Sequence, residues 1–151
     1  MDKAIPAAEG SGQPLDNAEM EAAIEACVRN FYAKGRNDDL LGPLFNSHIA
    51  DWDRHLKRIH DFWSRTLLGT ARYSGHPYPV HAPLPVEPEH FKRWVALFEE
   101  TARETLDASL AQKAIGRARH MSASFQAGIF PFKDADGRPS RLPRFAAKQS
   151  E

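Results

Sequence analysis

Prolines stand at positions 77, 79, 83 and 85, and no long helix can run through a segment so spaced, because each one removes a backbone N–H and crowds the preceding turn. The break falls between two long amphipathic helical patterns. A stiff, irregular stretch of roughly seventeen residues must therefore be housed in an otherwise helical body, where connections ordinarily take about 2–8 residues. His81 lies inside this stretch, in Gly75-His76-Pro77-Tyr78-Pro79-Val80-His81-Ala82-Pro83-Leu84-Pro85, and His55 borders the apolar stripe of the helix before it. Two imidazoles can thus face one apolar space. Histidine is the commonest protein ligand for a metal or a haem iron, so the pair predicts a buried redox cofactor.

The remainder reads as helices. With Asp16 as N-cap, Met20, Ile24, Cys27, Val28 and Phe31 recur at helical spacing until Lys34-Gly35. Residues 37–46 are turn-rich and read as a tight connection with room for a helical turn at most, carrying Phe45 inward. From Ile49 to Leu68, Trp52, Leu56, Ile59, Trp63 and Leu67 form the cleanest stripe, closed by Gly69. Pro88 suits the first turn of a helix through Phe91, Trp94, Val95 and Phe98 to about Leu106. A last helix starts near Ser109 and carries Leu110, Ala114, Ile115, Ala118, Met121, Phe125 and Ile129. No period-2 run long enough for a central strand occurs, so the fold class is all-α with four main helices. Residues 1–15 have the Pro, Gly and Ser content of a flexible leader, 16–130 form the domain, and 131–151 read as a polar, mobile tail.

Composition removes several function classes. Lys and Arg number 20, as do Asp and Glu, so no basic field exists to hold nucleic acid or an anionic membrane. Zero net charge is compatible with a monomer or a weak dimer. Cys27 is the only cysteine; it reads as a small buried hydrophobe, excludes an internal disulfide, and fits a reducing cytoplasm. No apolar run is long enough for a membrane span. A zinc site would need three or four grouped ligands, and His76, His81 and His90 are spaced too loosely for one.

Several motifs, in one order, resemble group III truncated haemoglobins. They are Phe31-Tyr32, Gly42-Pro43-Leu44-Phe45-Asn46, Trp52-x-x-His55-x-x-x-Ile59-x-x-Phe62-Trp63, Leu67-Leu68-Gly69, His81-Ala82-Pro83-Leu84-Pro85, and Phe91-x-x-Trp94-x-x-Leu97-Phe98-Glu99-Glu100. The resemblance covers about residues 17 to 130. It implies a truncated globin two-over-two helical sandwich around a noncovalent b-type haem, with His81 as the proximal iron ligand. It also implies a distal side built from Tyr32, His55 and Trp94, with Phe45 and Ile59 as apolar neighbours of the haem; alternatively, His55 itself binds the iron when no other ligand is present.

The implied function is reversible binding of O2, NO or CO at the haem. Hydrogen-bond donors near the ligand suit NO dioxygenation or peroxide handling as well, and either would draw on an external reductase. Each residue also has a plainer role: His81 as an exposed loop histidine, His55 as a boundary residue paired with Asp51, Tyr32 and Trp94 as core fillers bonded to backbone. The competing class is a cofactor-free helical interaction module, which leaves the proline-broken segment around His81 unexplained.

Overall fold

The computed structural model describes residues 16–142 and contains α1 (Asn17–Arg36), α2 (Leu41–His48), α3 (Trp52–Leu68), α4 (Pro77–His81), α5 (Pro88–Thr105) and α6 (Ala108–Ile129), followed by a hairpin of β1 (Phe132–Lys133) and β2 (Pro139–Ser140). The 1–15 leader and residues 143–151 of the tail lie outside the described residues. Two pairs of long helices make the body. α1 packs on α3 and α5, and α6 packs on α5 and α3, which is the two-over-two arrangement.

The helix ends follow from local chemistry. Asp16 accepts the Glu19 N–H at 2.8 Å while Glu19 accepts the Asp16 N–H at 3.0 Å, a reciprocal cap that satisfies two donors the first turn leaves free. Asp51 accepts the Arg54 N–H at the start of α3, and Asp107 accepts the Leu110 N–H at the start of α6. Gly69 ends α3 with φ 78°, a left-handed conformation that suits glycine. At Pro88 the missing N–H is one that a first turn would not bond, so proline starts α5 without loss.

The connection after α1 is a fuller element than a single turn. α2 runs for eight residues. Gly42-Pro43 reads as a breaker, yet the proline falls in the first turn of α2, and the Asp38 carboxylate caps the N–H groups of Leu40 and Leu41 at 3.0 and 2.9 Å. A Cβ at Gly42 would meet the Arg36 carbonyl oxygen at 2.7 Å, so only glycine lets α2 seat this tightly on the end of α1. This seat aims Phe45 at the α1 face.

The apolar core has two parts. The larger joins Ile24, Phe31 and Tyr32 of α1 with Phe62, Trp63 and Leu67 of α3, Phe98 of α5, and Ala111, Ala114 and Ala118 of α6. Small residues on α6 allow close helix approach and leave the volume to the aromatic rings. The smaller part gathers Val86, Phe91, Phe125, Ile129 and Phe130 around the α4 end of the molecule.

A polar knot fastens α1 to α3 outside both cores. Glu21 accepts from His60 Nε2 at 2.7 Å, from Ser64 Oγ at 2.7 Å and from Arg72 Nη2 at 2.9 Å, and Arg72 also donates to Asp61. Ser64 is fully buried there. Burial works against the Glu21 charge, but the bonds from His60, Arg72 and Ser64 outweigh it and bring its pKa to about 2. A carboxylate with a depressed folded pKa adds stability that is present above its ordinary 4.5 and is lost as pH falls toward 2. With a quarter of the Glu21 side chain exposed, the contribution is on the order of 2 kcal/mol. Glu21→Gln is expected to lower the melting temperature by several degrees at pH 7, with the gap to the parent protein closing as pH falls from 4.5 toward 2 in a calorimetric pH series.

Candidate functional site

His81 is the last residue of α4, a single turn that begins at Pro77. Its Nδ1 lies 2.6 Å from the Pro77 carbonyl oxygen. A carbonyl only accepts, so Nδ1 carries the proton and Nε2 of the neutral ring is left as a bare lone pair. That nitrogen has no hydrogen-bond partner among the described residues. The ring rests on Phe125 of α6, with centroids 5.2 Å apart. Tyr78, one turn earlier, packs on the same Phe125 and reaches α6 at Gly128, where a Cβ would come within 2.6 Å of its hydroxyl. The smaller core thus forms the bed of His81.

The other candidates gather in an aromatic cluster of the larger core. Tyr32 is buried on α1 and its hydroxyl is 2.9 Å from His55 Nε2 on α3, with the two rings at 89°. Phe45 of α2 packs on Tyr32 at 5.3 Å and on Phe31 at 6.2 Å. Trp94 of α5 stacks on Phe98 at 5.6 Å and meets Phe31 edge-on. The Trp94 indole N–H has no partner among the described residues, although the side chain is half-buried. Ile59, one turn beyond His55 on α3, is half-buried against the same core.

The electrostatics of this cluster favour neutral groups. Burial pushes the Tyr32 hydroxyl well above its ordinary range. Burial also lowers His55 from its ordinary 6.5 to about 4, and the fields of His81 and Arg58 add to the effect. At neutral pH the Tyr32–His55 bond joins two uncharged partners, each able to donate or accept.

Tyr32 contacts both His55 and Phe45, Trp94 lies one ring away through Phe31, and His81 packs apart from these on Phe125. Asp51 is not the partner of the His55 ring; its carboxylate caps α3. His48 bonds the Leu44 carbonyl, His60 bonds Glu21, and His90 accepts from the Glu87 N–H, so all three serve the fold. Cys27 is buried, and burial pushes its thiol up.

Two residues pack against the candidates although the sequence reading gave them no part. Trp52 packs edge-on to Tyr32 at 5.6 Å and to His55 at 6.0 Å, with the Arg36 guanidinium 4.1 Å above its ring. Its position three residues before His55, on the same helical face, is a signal that sequence carries. Phe125 carries no such signal, because its contact with His81 joins residues 44 apart in sequence, too far for any local pattern.

A lone imidazole holds a metal only weakly, and among the described residues no three His, Cys, Asp or Glu side chains group closely enough to hold an ion. A metal at His81 would need its remaining donors from a cofactor. The residues fit a haem on three counts. The Nε2 lone pair is fixed by a second bond at Nδ1, as metal-bound imidazoles require; two apolar clusters flank the histidines; and unpaired or neutral donors line one side.

The sequence and the fold have known relatives. Residues 15–127 match the family of bacterial-like globins. The group 3 truncated haemoglobin ctb of Campylobacter jejuni is 32% identical over 117 residues, which make up 74% of this chain and 92% of that protein. The crystal structure of group III truncated haemoglobin from Campylobacter jejuni aligns with a TM-score of 0.70 at 31% identity, over 78% of this chain and 94% of that one. The chain belongs to the bacterial-like globin family as a truncated haemoglobin of the group III kind, a globin-type haem protein that binds small ligands.

Proposed function

We propose that this chain holds a noncovalent b-type haem, whose iron His81 would ligate, and binds O2, NO or CO reversibly with Tyr32, His55 and Trp94 as the groups that would meet the ligand. The observation that carries this reading is the Nδ1–H of His81 donating to the Pro77 carbonyl at 2.6 Å, which leaves Nε2 free in the tautomer that ligates. When bound, the haem supplies a reducible iron that takes up diatomic ligands.

The protein's own groups set the rest. Pro77 fixes the tautomer and orientation of the His81 ring. Tyr32, held neutral by burial, offers its O–H to an electron-rich ligand, with the His55 Nε2 behind it at 2.9 Å. The Trp94 indole N–H is a second donor, and Phe45 and Ile59 are apolar walls that exclude water. Were His55 to ligate the iron itself in a six-coordinate resting state, its Nε2 would first have to leave Tyr32. Several donors in one apolar site slow ligand release, which suits oxidation of nitric oxide to nitrate, sustained by an external one-electron reductase, better than bulk oxygen transport. Peroxide turnover would draw on the same groups.

Purified protein titrated with haemin and reduced with dithionite is expected to show a strong Soret band that shifts with carbon monoxide, and His81→Ala is expected to lose or alter it. Absence of haem uptake would instead favour a cofactor-free interaction module. Tyr32→Phe is expected to speed oxygen release by about one to two powers of ten in stopped flow, since a charge-assisted hydrogen bond contributes roughly 1.5–3 kcal/mol. An unchanged rate would remove Tyr32 from the ligand side. The reduced protein in aerated buffer is expected to consume nitric oxide stoichiometrically, yield nitrate and become ferric; a protein that stays reduced under that challenge would lack the dioxygenase activity.

A further inference from the structure

The family match ends at residue 127, but the described chain continues to 142 and turns back on the molecule. Asp134 makes the turn: its carboxylate accepts the N–H groups of Asp136 and Arg138, both at 2.9 Å, and Gly137 follows with φ 82°. β1 and β2 pair antiparallel, with Phe132 opposite Ser140 and Lys133 opposite Pro139. The next residue is Arg141. Its guanidinium donates to the carbonyl oxygens of Ala82 at 3.1 Å, Leu84 at 2.6 Å and Val86 at 3.2 Å, and lies 5.4 Å from the centre of the Phe130 ring.

Those three carbonyls alternate along the segment that leaves His81. Pro83 and Pro85 lie between them without N–H groups, so the segment cannot be held by an ordinary ladder of backbone bonds. One planar guanidinium with several fixed donors supplies what a neighbouring strand would otherwise give. α4 needs such help. It is five residues long, has no buried residue and no side-chain cap, and a single turn has little stability of its own. Tyr78 and Phe125 hold it from one side, and Arg141 grips the chain immediately after His81 on the other.

We propose that Arg141 is a positioning residue for His81: the C-terminal hairpin delivers a guanidinium clamp that fixes the proline segment after α4 and, through it, the orientation of the His81 ring toward the iron. This rests on the reading of His81 as the iron ligand. Arg141 acts through the segment, since its contacts are with the Ala82, Leu84 and Val86 carbonyls and the Phe130 ring.

The test uses the full-length haem-loaded protein and three variants, Arg141→Ala, Arg141→Lys and His81→Ala. Resonance Raman of the reduced protein reads the iron–imidazole stretching band, transfer of haem to excess apomyoglobin reads its retention, and amide exchange at Leu84 and Val86 reads the segment. Arg141→Ala is expected to shift and broaden the band, to release haem roughly tenfold faster as charge-assisted bonds are lost, and to exchange faster at both amides, with helical circular dichroism unchanged. Arg141→Lys keeps the charge but not the fork, so it is expected to restore the band only in part, and it serves as the variant if the alanine protein fails to fold. A band lost in His81→Ala yet unaltered in frequency, width and haem retention in the Arg141 variants would overturn the clamp alone. A band that survives His81→Ala, or is absent from the parent protein, would overturn the axial-ligand reading and the clamp with it.

Discussion

A proline donates no backbone hydrogen bond, and four of them within nine residues leave the segment around His81 with few backbone bonds of its own. Much of what gives His81 a defined position is therefore borrowed from elsewhere in the chain. α6 contributes the Phe125 ring beneath the imidazole and a bare Gly128 surface for Tyr78, and the hairpin after α6 contributes Arg141. Within the segment, only the Pro77 carbonyl reaches the ring itself. The smaller core lies beside this segment: Phe91 of α5, Phe125 and Ile129 of α6, and the flanking Val86 and Phe130 supply packing where the backbone ladder is interrupted.

The opposite wall obeys a different constraint. Burying polar groups costs free energy unless they find partners, and the larger core buries Tyr32 fully and His55 in part. Each satisfies the other at 2.9 Å, and both stay uncharged at neutral pH. The charged groups sit outside, where Arg72, just beyond α3, joins Glu21 of α1 to Asp61 of α3, and Lys57 pairs with Asp61. Rigid aromatic stacking completes the wall: Phe98 lies between Trp63 at 4.7 Å and Trp94 at 5.6 Å, near-parallel to both. Such pairs add roughly 0.5–1.5 kcal/mol beyond area burial and fix ring orientation.

The four long helices were legible because each carries a wide apolar stripe and a cap residue that local chemistry requires. Asp16, Gly69 and Pro88 marked ends to the residue, since capping and the φ demands of a stop are local properties. α2 was not legible as two turns, because Gly42-Pro43 signals a break unless one knows that Asp38 caps the preceding N–H groups. His55 could be placed on its stripe, but its partner could not: Tyr32 is 23 residues away and Asp51 is nearer in sequence. The same limit hides Phe125 under His81 and the Arg141 contacts, which join residues 55 to 59 positions apart. Residues 131–142 read as part of a polar, mobile tail, because the hairpin's contacts come from one aspartate turn and one guanidinium, neither of which leaves a periodic trace.

The two walls together limit what the space can discriminate. On the proposed reading, an incoming ligand that only accepts hydrogen bonds competes with His55 for the Tyr32 hydroxyl. The competition is settled without loss of a bond only if His55 carries its proton on Nε2 and donates to the Tyr32 oxygen, freeing the O–H to turn to the ligand. No described residue pins the His55 Nδ1, so that tautomer is open to it, whereas the Pro77 carbonyl allows His81 only one. The neutrality of His55 down to about pH 4 matters here. A permanently protonated imidazole would draw anions and water into the space, while a neutral pair responds to the partial charge that a diatomic acquires on binding and leaves the site otherwise dry. One histidine is locked and the other adaptable, and the difference traces to a single carbonyl that the proline-started turn places beside His81.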